Sequence, residues 1–453
     1  MTVAPSPSGV RAARRRDRRV YTRSHPVLFA LLAATRRRAV TRIGGTLLVH
    51  GSDAYRHALT GVPLDRTAAG TTGGAAREMS VGGLLFDQEG TGHRDTRRAL
   101  AGGLGAAGVE RLRPVLREVL ARRLAPLGAG ATVDLVPLAQ ELAGVTVCAL
   151  LGAGADPGGV AEAAARAAAT AVRDHLPGPR LPGTTRKAAA ATHRLQTLLD
   201  PTRPATATSS ADHGPGTPDK GPGTPGEAPG TPGEATSTAG KAPGTPGEPT
   251  STPDKGPSTP TEAPDAPGAG AHSSAACTSG DGDQSALWAM LAVAAVNTTV
   301  AALPRAAAWC ADAALWDQAA DDRLRPLLVD ELLRVIAPSP LLPRAAAADA
   351  RLDGCPVRAG DRLILVARHA ARAHTDPPNA RHPAPAADAQ LVFGAGPHAC
   401  PGARLARAQL DDTLAALAAH RPAVVRARVD RGAALPSWRS LTVRATVTSR
   451  PED

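Results

Sequence analysis

The sequence predicts a mainly α-helical fold with small β-sheets, and three observations carry that expectation. Long stretches repeat apolar residues at helical spacing, the clearest being Val109–Leu124, Leu138–Leu151 and Ser285–Ala313. Strand signals are brief, as in Ala39–His50 around Gly44-Gly45 and in the branched run Arg362–Ala367. From about residue 201 to 283 the composition shifts to Pro, Gly, Thr and Ser in near-repeats such as GPGTPGEA. Such a segment buries too little apolar surface to offset its ordering entropy, so it is expected to be a disordered insertion within one domain.

The 453 residues are 43% hydrophobic but only 2% aromatic, so the core must be built from Leu, Val and Ala. The formal charge of +11 comes from arginine, since Lys187, Lys220, Lys241 and Lys255 are the only lysines. Those arginines are spread along the chain without a nucleic-acid motif, which argues against a nucleic-acid partner. Five widely spaced cysteines, Cys148, Cys277, Cys310, Cys355 and Cys400, are an odd number and suit a reducing compartment rather than a disulfide framework. The apolar run near Pro26–Ala34 is too short to span a bilayer, so a cytoplasmic protein without a membrane span is expected.

Taken in order, residues 1–24 read as a flexible, Arg-rich end. His25–Arg37 has helical spacing, Ala39–His50 reads as two short strands, and a helix follows near Asp53–Leu59. His93-x-x-x-Arg97 places two hydrogen-bonding cations on one helical face, an arrangement suited to a carboxylate. The helices Val109–Leu124 and Leu138–Leu151 flank a short strand at Thr132–Val136, and Val160–Val172 and Arg186–Leu199 are alanine-rich helices. After the insertion, Ser285–Ala313 is a long apolar helix with Asp283 or Ser285 as its expected N-cap and Pro304 loosening one turn. Val424–Val429 and Leu441–Val447 close the chain as strands.

Leu391–Leu410, LVFGAGPHACPGARLARAQL, is the stretch with chemistry in it. Cys400 stands just before an amphipathic helix marked by Leu405, Leu410, Leu414 and Leu417. Free backbone N–H groups at a helix start favour a thiolate there. Gly394 and Gly396 permit a tight loop against a flat ligand, and Gly402 allows a close approach. A zinc site would need further closely spaced ligands, and no C-x-x-C occurs.

The pattern Phe393-Gly394-x-Gly396-x-His398-x-Cys400-x-Gly402 resembles the cysteine-ligand loop of the cytochrome P450 superfamily. The resemblance implies that fold, with haem between a long distal helix and a proximal cysteine loop, over residues 25–200 and 284–450. It implies haem b with Cys400 as axial iron ligand, Phe393 beside the loop, and His93, Arg97, Arg344 and His398 on the propionates. Ala294–Thr299 resembles the family's oxygen-groove segment, with Thr298 and Asn297 as catalytic positions. Ala295 stands where the family has glycine, and Asn297 where it has an acid that titrates. Glu331-Leu332-Leu333-Arg334 resembles its buried Glu-x-x-Arg pair, with Arg381 as an expected third member.

The implied activity is oxidation of an apolar small molecule in specialised metabolism. O2 and electrons from NAD(P)H would be used, arriving through a ferredoxin and ferredoxin reductase. Arg97, Arg98, Arg404 and Arg407 are the expected docking face for that partner. The alternatives are a peroxide-using or ring-coupling enzyme, suggested by Asn297, and a non-catalytic recruitment scaffold, suggested by the insertion.

Overall fold

The computed structural model describes residues 6–78, 85–175, 183–200 and 281–446. The expectation of a disordered insertion lies outside them, except at its end. Helix α10 (Asp281–Asp312) contains Asp283 and Ser285, so neither is its N-cap.

The first difference from the sequence reading is at the start. Residues expected to be flexible form α1 (Pro7–Ser24), whose N-cap Ser6 accepts a hydrogen bond from Gly9 N at 3.1 Å. Its Arg-rich sequence is held down by one acid. Asp17 is buried and accepts from Arg305 at 2.6 and 2.9 Å and from Arg368 at 2.9 Å. Both guanidiniums lie over the Tyr21 ring, at 4.6 and 4.2 Å from its centre. Composition alone reads as a solvated tail; pairing with two arginines far along the chain makes it core.

The chain then runs through α2 (Pro26–Thr35), β1 (Val40–Ile43), β2 (Thr46–Val49), α3 (Ser52–Thr60) and β3 (Leu64–Asp65). Gly44 takes φ +58° in the β1–β2 turn. Next come α4 (Thr72–Glu78), α5 (Gly90–Leu104), α6 (Ala106–Gly128) and β4 (Thr132–Asp134). The expected strand to Val136 stops early because Asp134 accepts from Val136 N at 3.0 Å and caps α7 (Leu135–Leu151). Helices α8 (Pro157–His175), α9 (Thr184–Leu198) and α10 follow. Pro304 lies inside α10 without ending it.

Beyond α10 lie α11 (Trp316–Ala320), α12 (Arg325–Ile336), β5 (Leu341–Ala346), β6 (Ala350–Leu352), β7 (Cys355–Val357) and β8 (Arg362–Val366). The short turns α13 (Ala367–Ala370) and α14 (Ala386–Ala389) precede α15 (Ala403–Ala418), β9 (Ala423–Asp430) and β10 (Ser437–Arg444).

The largest sheet has the order β1-β2-β8-β5-β3, with β2 and β8 parallel through Leu47 opposite Leu363 and Val49 opposite Leu365. Two smaller sheets are β4-β10-β9 and β6-β7. The main core joins α6, α7, α10, α12 and α15 through buried residues such as Leu116, Leu142, Leu303, Leu332 and Leu414. Helix α10 is long and apolar enough by length and composition to cross a bilayer, yet it packs here against α1, α7, α8, α9, α12 and α15 as the core helix.

Candidate functional site

The cysteine loop is two 3-10 turns, Gln390–Phe393 and Gly396–His398, joined by glycines at positive φ: Gly394 at +79° and Gly396 at +70°. A side chain at Gly396 would also press on Thr60 Cγ2, 3.1 Å from its Cβ position. Cys400 N donates to Phe393 O at 2.7 Å, which closes the loop and sets the sulfur just ahead of α15. Gly402, the residue before α15, leaves room: its Cβ position would lie 3.9 Å from Cys400 Sγ.

The electrostatics at the sulfur differ from the sequence expectation. Cys400 has solvent-accessible surface, but protein atoms crowd the sulfur, and this desolvation pushes the thiol above its ordinary value. The Gly402 N–H and the charges of Arg97 and Arg407 pull the other way without winning. A positive metal centre at the sulfur would favour the thiolate.

Helix α5 brings its two expected residues to this loop. The His93 ring, buried, lies 3.9 Å from the His398 ring at 30°, and Arg97 Nη1 donates to Ala399 O at 2.7 Å. Arg344 on β5 joins the same cluster; its Nη1 donates to Thr72 Oγ1 at 3.2 Å, while its buried Nε has no partner. Desolvation pushes Arg344 down to about 10, and Arg66 adds to the shift. His398 is pushed down to about 3 by desolvation and by Arg66, His93, Arg344 and Arg97. Burial and the neighbouring Arg97 and Arg66 also lower His93.

Arg66 is the member that sequence reasoning missed. It follows the two-residue strand β3 and has no periodicity to mark it, and it pairs with the exposed Glu89 at 3.2 Å. Among the described residues, no carboxylate lies within ion-pair distance of Arg344, Arg97, His93 or His398. A half-buried arginine with an orphaned Nε beside Arg97 and two histidines fits a dianionic ligand, and the propionates of haem are such a ligand.

Glu331 and Arg334 form a buried charge pair on α12, without the third charged member expected. Arg334 donates to both Glu331 oxygens, at 2.9 and 2.7 Å, and both side chains are buried. Arg334 also donates to Ala371 O and Asp376 O at 3.2 Å, and Glu331 accepts from Ala384 N at 2.9 Å and Asn379 N at 3.3 Å. Arg381 does not complete a triad; it is exposed, and the backbone N–H groups of Asn379 and Ala384 take the place expected for it. Two neutral donors satisfy the carboxylate without burying another charge.

On α10, Thr298 Oγ1 donates to Ala294 O at 2.8 Å, and Asn297 Nδ2 donates to Val293 O at 2.7 Å and Ala164 O at 3.5 Å. Thr299 donates to Gln409 Oε1 at 3.3 Å, and Gln409 Nε2 donates to Thr146 Oγ1 at 2.7 Å. This bridge, not visible in the sequence, pins α10 and α7 to the helix that follows Cys400.

Of the four arginines expected on a docking face, two are structural. Arg97 is bonded to the loop, and Arg407 lies 4.6 Å over the Phe393 ring and pairs with Asp330 at 2.6 Å. Arg404 and Arg98 are exposed, the latter paired with Asp95 at 2.8 Å.

Residues 324–418 match the family described as Cytochrome P450. A 103-residue segment is 40% identical to 20-oxo-5-O-mycaminosyltylactone 23-monooxygenase of Streptomyces fradiae, covering 22% of this chain and 24% of that one. A second, over 100 residues, is 37% identical to Putative cytochrome P450 YjiB of Bacillus subtilis (strain 168), covering 21% and 24%. The match thus spans about a quarter of the length of these relatives. Across the fold, the structure of a P450 EryK mutant with erythromycin B superposes with a TM-score of 0.63 at 20% identity, covering 94% of this chain and 98% of the other. The family match falls on α12, the Glu331–Arg334 pair, the cysteine loop and α15, and the likeness of fold to that P450 structure extends over 94% of the chain.

Proposed function

We propose that this chain is a haem-thiolate monooxygenase that oxidises an apolar small molecule of specialised metabolism. The observation that carries the reading is the convergence of Cys400, in a glycine-built loop, with Arg344, Arg97, His93 and His398, none of which has a carboxylate partner among the described residues. Haem b, when bound, supplies the activation of O2 that no side chain can perform. Cys400 would ligate the iron, while Arg344, Arg97, His93 and His398 would hold the two carboxylates.

The remaining steps belong to the protein. The Thr298 hydroxyl gives its hydrogen to Ala294 O and so offers lone pairs. It can hold a water or a substrate hydroxyl, and it passes a proton when the rotor turns. Asn297 cannot titrate, and its N–H is committed to Val293 O, so proton delivery runs through Thr298 and water rather than through a carboxylate. The name of the S. fradiae relative describes a monooxygenase, and the EryK structure contains erythromycin B; both support a specialised-metabolism substrate.

Electrons would come from NAD(P)H through a ferredoxin and its reductase, docking at the exposed Arg98 and Arg404. Charge reversal at both should slow reduction and flatten its salt dependence, and unchanged rates would remove that face from consideration. The decisive experiment is the ferrous carbonyl spectrum. The parent protein should show the red-shifted thiolate band, and Cys400→Ser should lose it while keeping its melting temperature within a few degrees. A Cys400→Ser protein with the parent's band would overturn the reading. Turnover with peroxide, and none with ferredoxin and NAD(P)H, would favour the peroxide-using alternative that Asn297 suggests.

A further inference from the structure

Nearly all of the chain's net charge resides in its first fifty residues, which hold eleven arginines and a single acid, Asp17, against +11 for the whole. Asp17 is consumed internally by Arg305 and Arg368. Arg16 and Arg42 are paired elsewhere, with Asp312 and Asp361. Arg18, Arg19 and Arg23 on α1, and Arg36, Arg37 and Arg38 after α2, are exposed and have no ion pair among the described residues.

Between those two arginine groups lies α2, PVLFALLAAT, without one charged residue. A helix apolar all round is expected to be buried, yet only Leu32 is. Val27, Ala30, Leu31 and Ala34, at spacing i, i+3, i+4 and i+7, form an exposed stripe, with Val27 81% and Leu31 42% accessible. Ile43 on β1 is exposed as well. The opposite side is firmly seated. Leu32 packs with Leu48 and Val366, and Phe29 meets the Tyr21 ring edge-on at 4.9 Å. The stripe therefore belongs to a rigid element rather than a frayed end.

We infer that α1 and α2 form a surface anchor for an anionic lipid bilayer, with α2 lying in the interface. At about 1.5 Å per residue, α2 is half the length needed to span the hydrocarbon. Its stripe suits the headgroup–acyl boundary, and the arginines at both ends suit lipid phosphates. Nucleic acid would engage the arginines but leave the stripe in water. A second copy would cover the stripe but set arginine runs of one chain against those of the other.

The test is flotation of the full haem-loaded chain with vesicles of phosphatidylcholine alone and of phosphatidylcholine mixed with phosphatidylglycerol. Binding to the anionic vesicles is expected, weakened about tenfold or more by Val27→Asp with Leu31→Asp. Reversal of Arg36, Arg37 and Arg38 to Glu should weaken it about a hundredfold. Circular dichroism melting confirms that both variants are folded. The inference is overturned if the parent ignores anionic vesicles or if the Val27/Leu31 variant binds as the parent does. It is equally overturned if the parent sediments as a dimer that this variant splits.

Discussion

Replacing Glu331 by Gln keeps the shape of the buried pair on α12 and removes its charge. In the native protein the carboxylate meets Arg334 through two aligned bonds and also accepts from Ala384 N and Asn379 N. The Gln amide offers one acceptor oxygen, and its NH2 would face either the guanidinium or a backbone N–H, donor against donor. Arg334, fully buried, would keep only carbonyl partners at Ala371, Arg372 and Asp376. Breaking a buried pair in this way costs about 3–5 kcal/mol. The cost falls on the 371–384 segment that leads into the cysteine loop, so haem retention should fall along with stability. The assay is urea unfolding of matched preparations, together with the haem-to-protein ratio after purification. Arg381→Ala is the control and should shift the midpoint by no more than about 0.5 kcal/mol, since its side chain is exposed. A Glu331→Gln protein within about 1 kcal/mol of the parent and fully haem-loaded would refute the reasoning.

Asp17→Asn should cost about 3–5 kcal/mol by the same argument, because it strands Arg305 and Arg368 together; proteolysis of α1 should accelerate in parallel. Arg344→Ala should weaken haem retention at least tenfold with little loss of apo-protein stability, since the native Nε is already unpartnered and the charge desolvated. Haem transfer to apomyoglobin measures it, and an unchanged transfer rate would exclude Arg344 from the propionate site. Acid sensitivity should come from histidines: burial holds His50 down to about 4 and His369 to about 3, and their Nδ1 atoms lie 2.9 Å apart. Both stay neutral in the folded protein while the unfolded chain binds protons near pH 6.5, so this stability is full above that pH and is lost as pH falls toward the folded values. The urea midpoint of His369→Gln should therefore depend less steeply on pH between 6.5 and 4.5 than that of the parent, and an identical slope would refute the assignment.

The sequence by itself determined the helical class, the cysteine loop and the Glu331–Arg334 pair, because those signals are local. Periodicity over one helix, glycines where the chain turns at positive φ, and two charges one turn apart need no knowledge of what packs against them. Only the tertiary structure decided the rest. It turned the Arg-rich start into a core helix, because Asp17 finds arginines at 305 and 368. It added Arg66 to the cationic cluster and gave the place expected for Arg381 to two backbone N–H groups. It also raised the Cys400 thiol, which the helix start alone would have lowered. In each case the deciding partner lies tens to hundreds of residues away or is a backbone group, or the deciding quantity is desolvation, and a pattern read along the chain carries none of these.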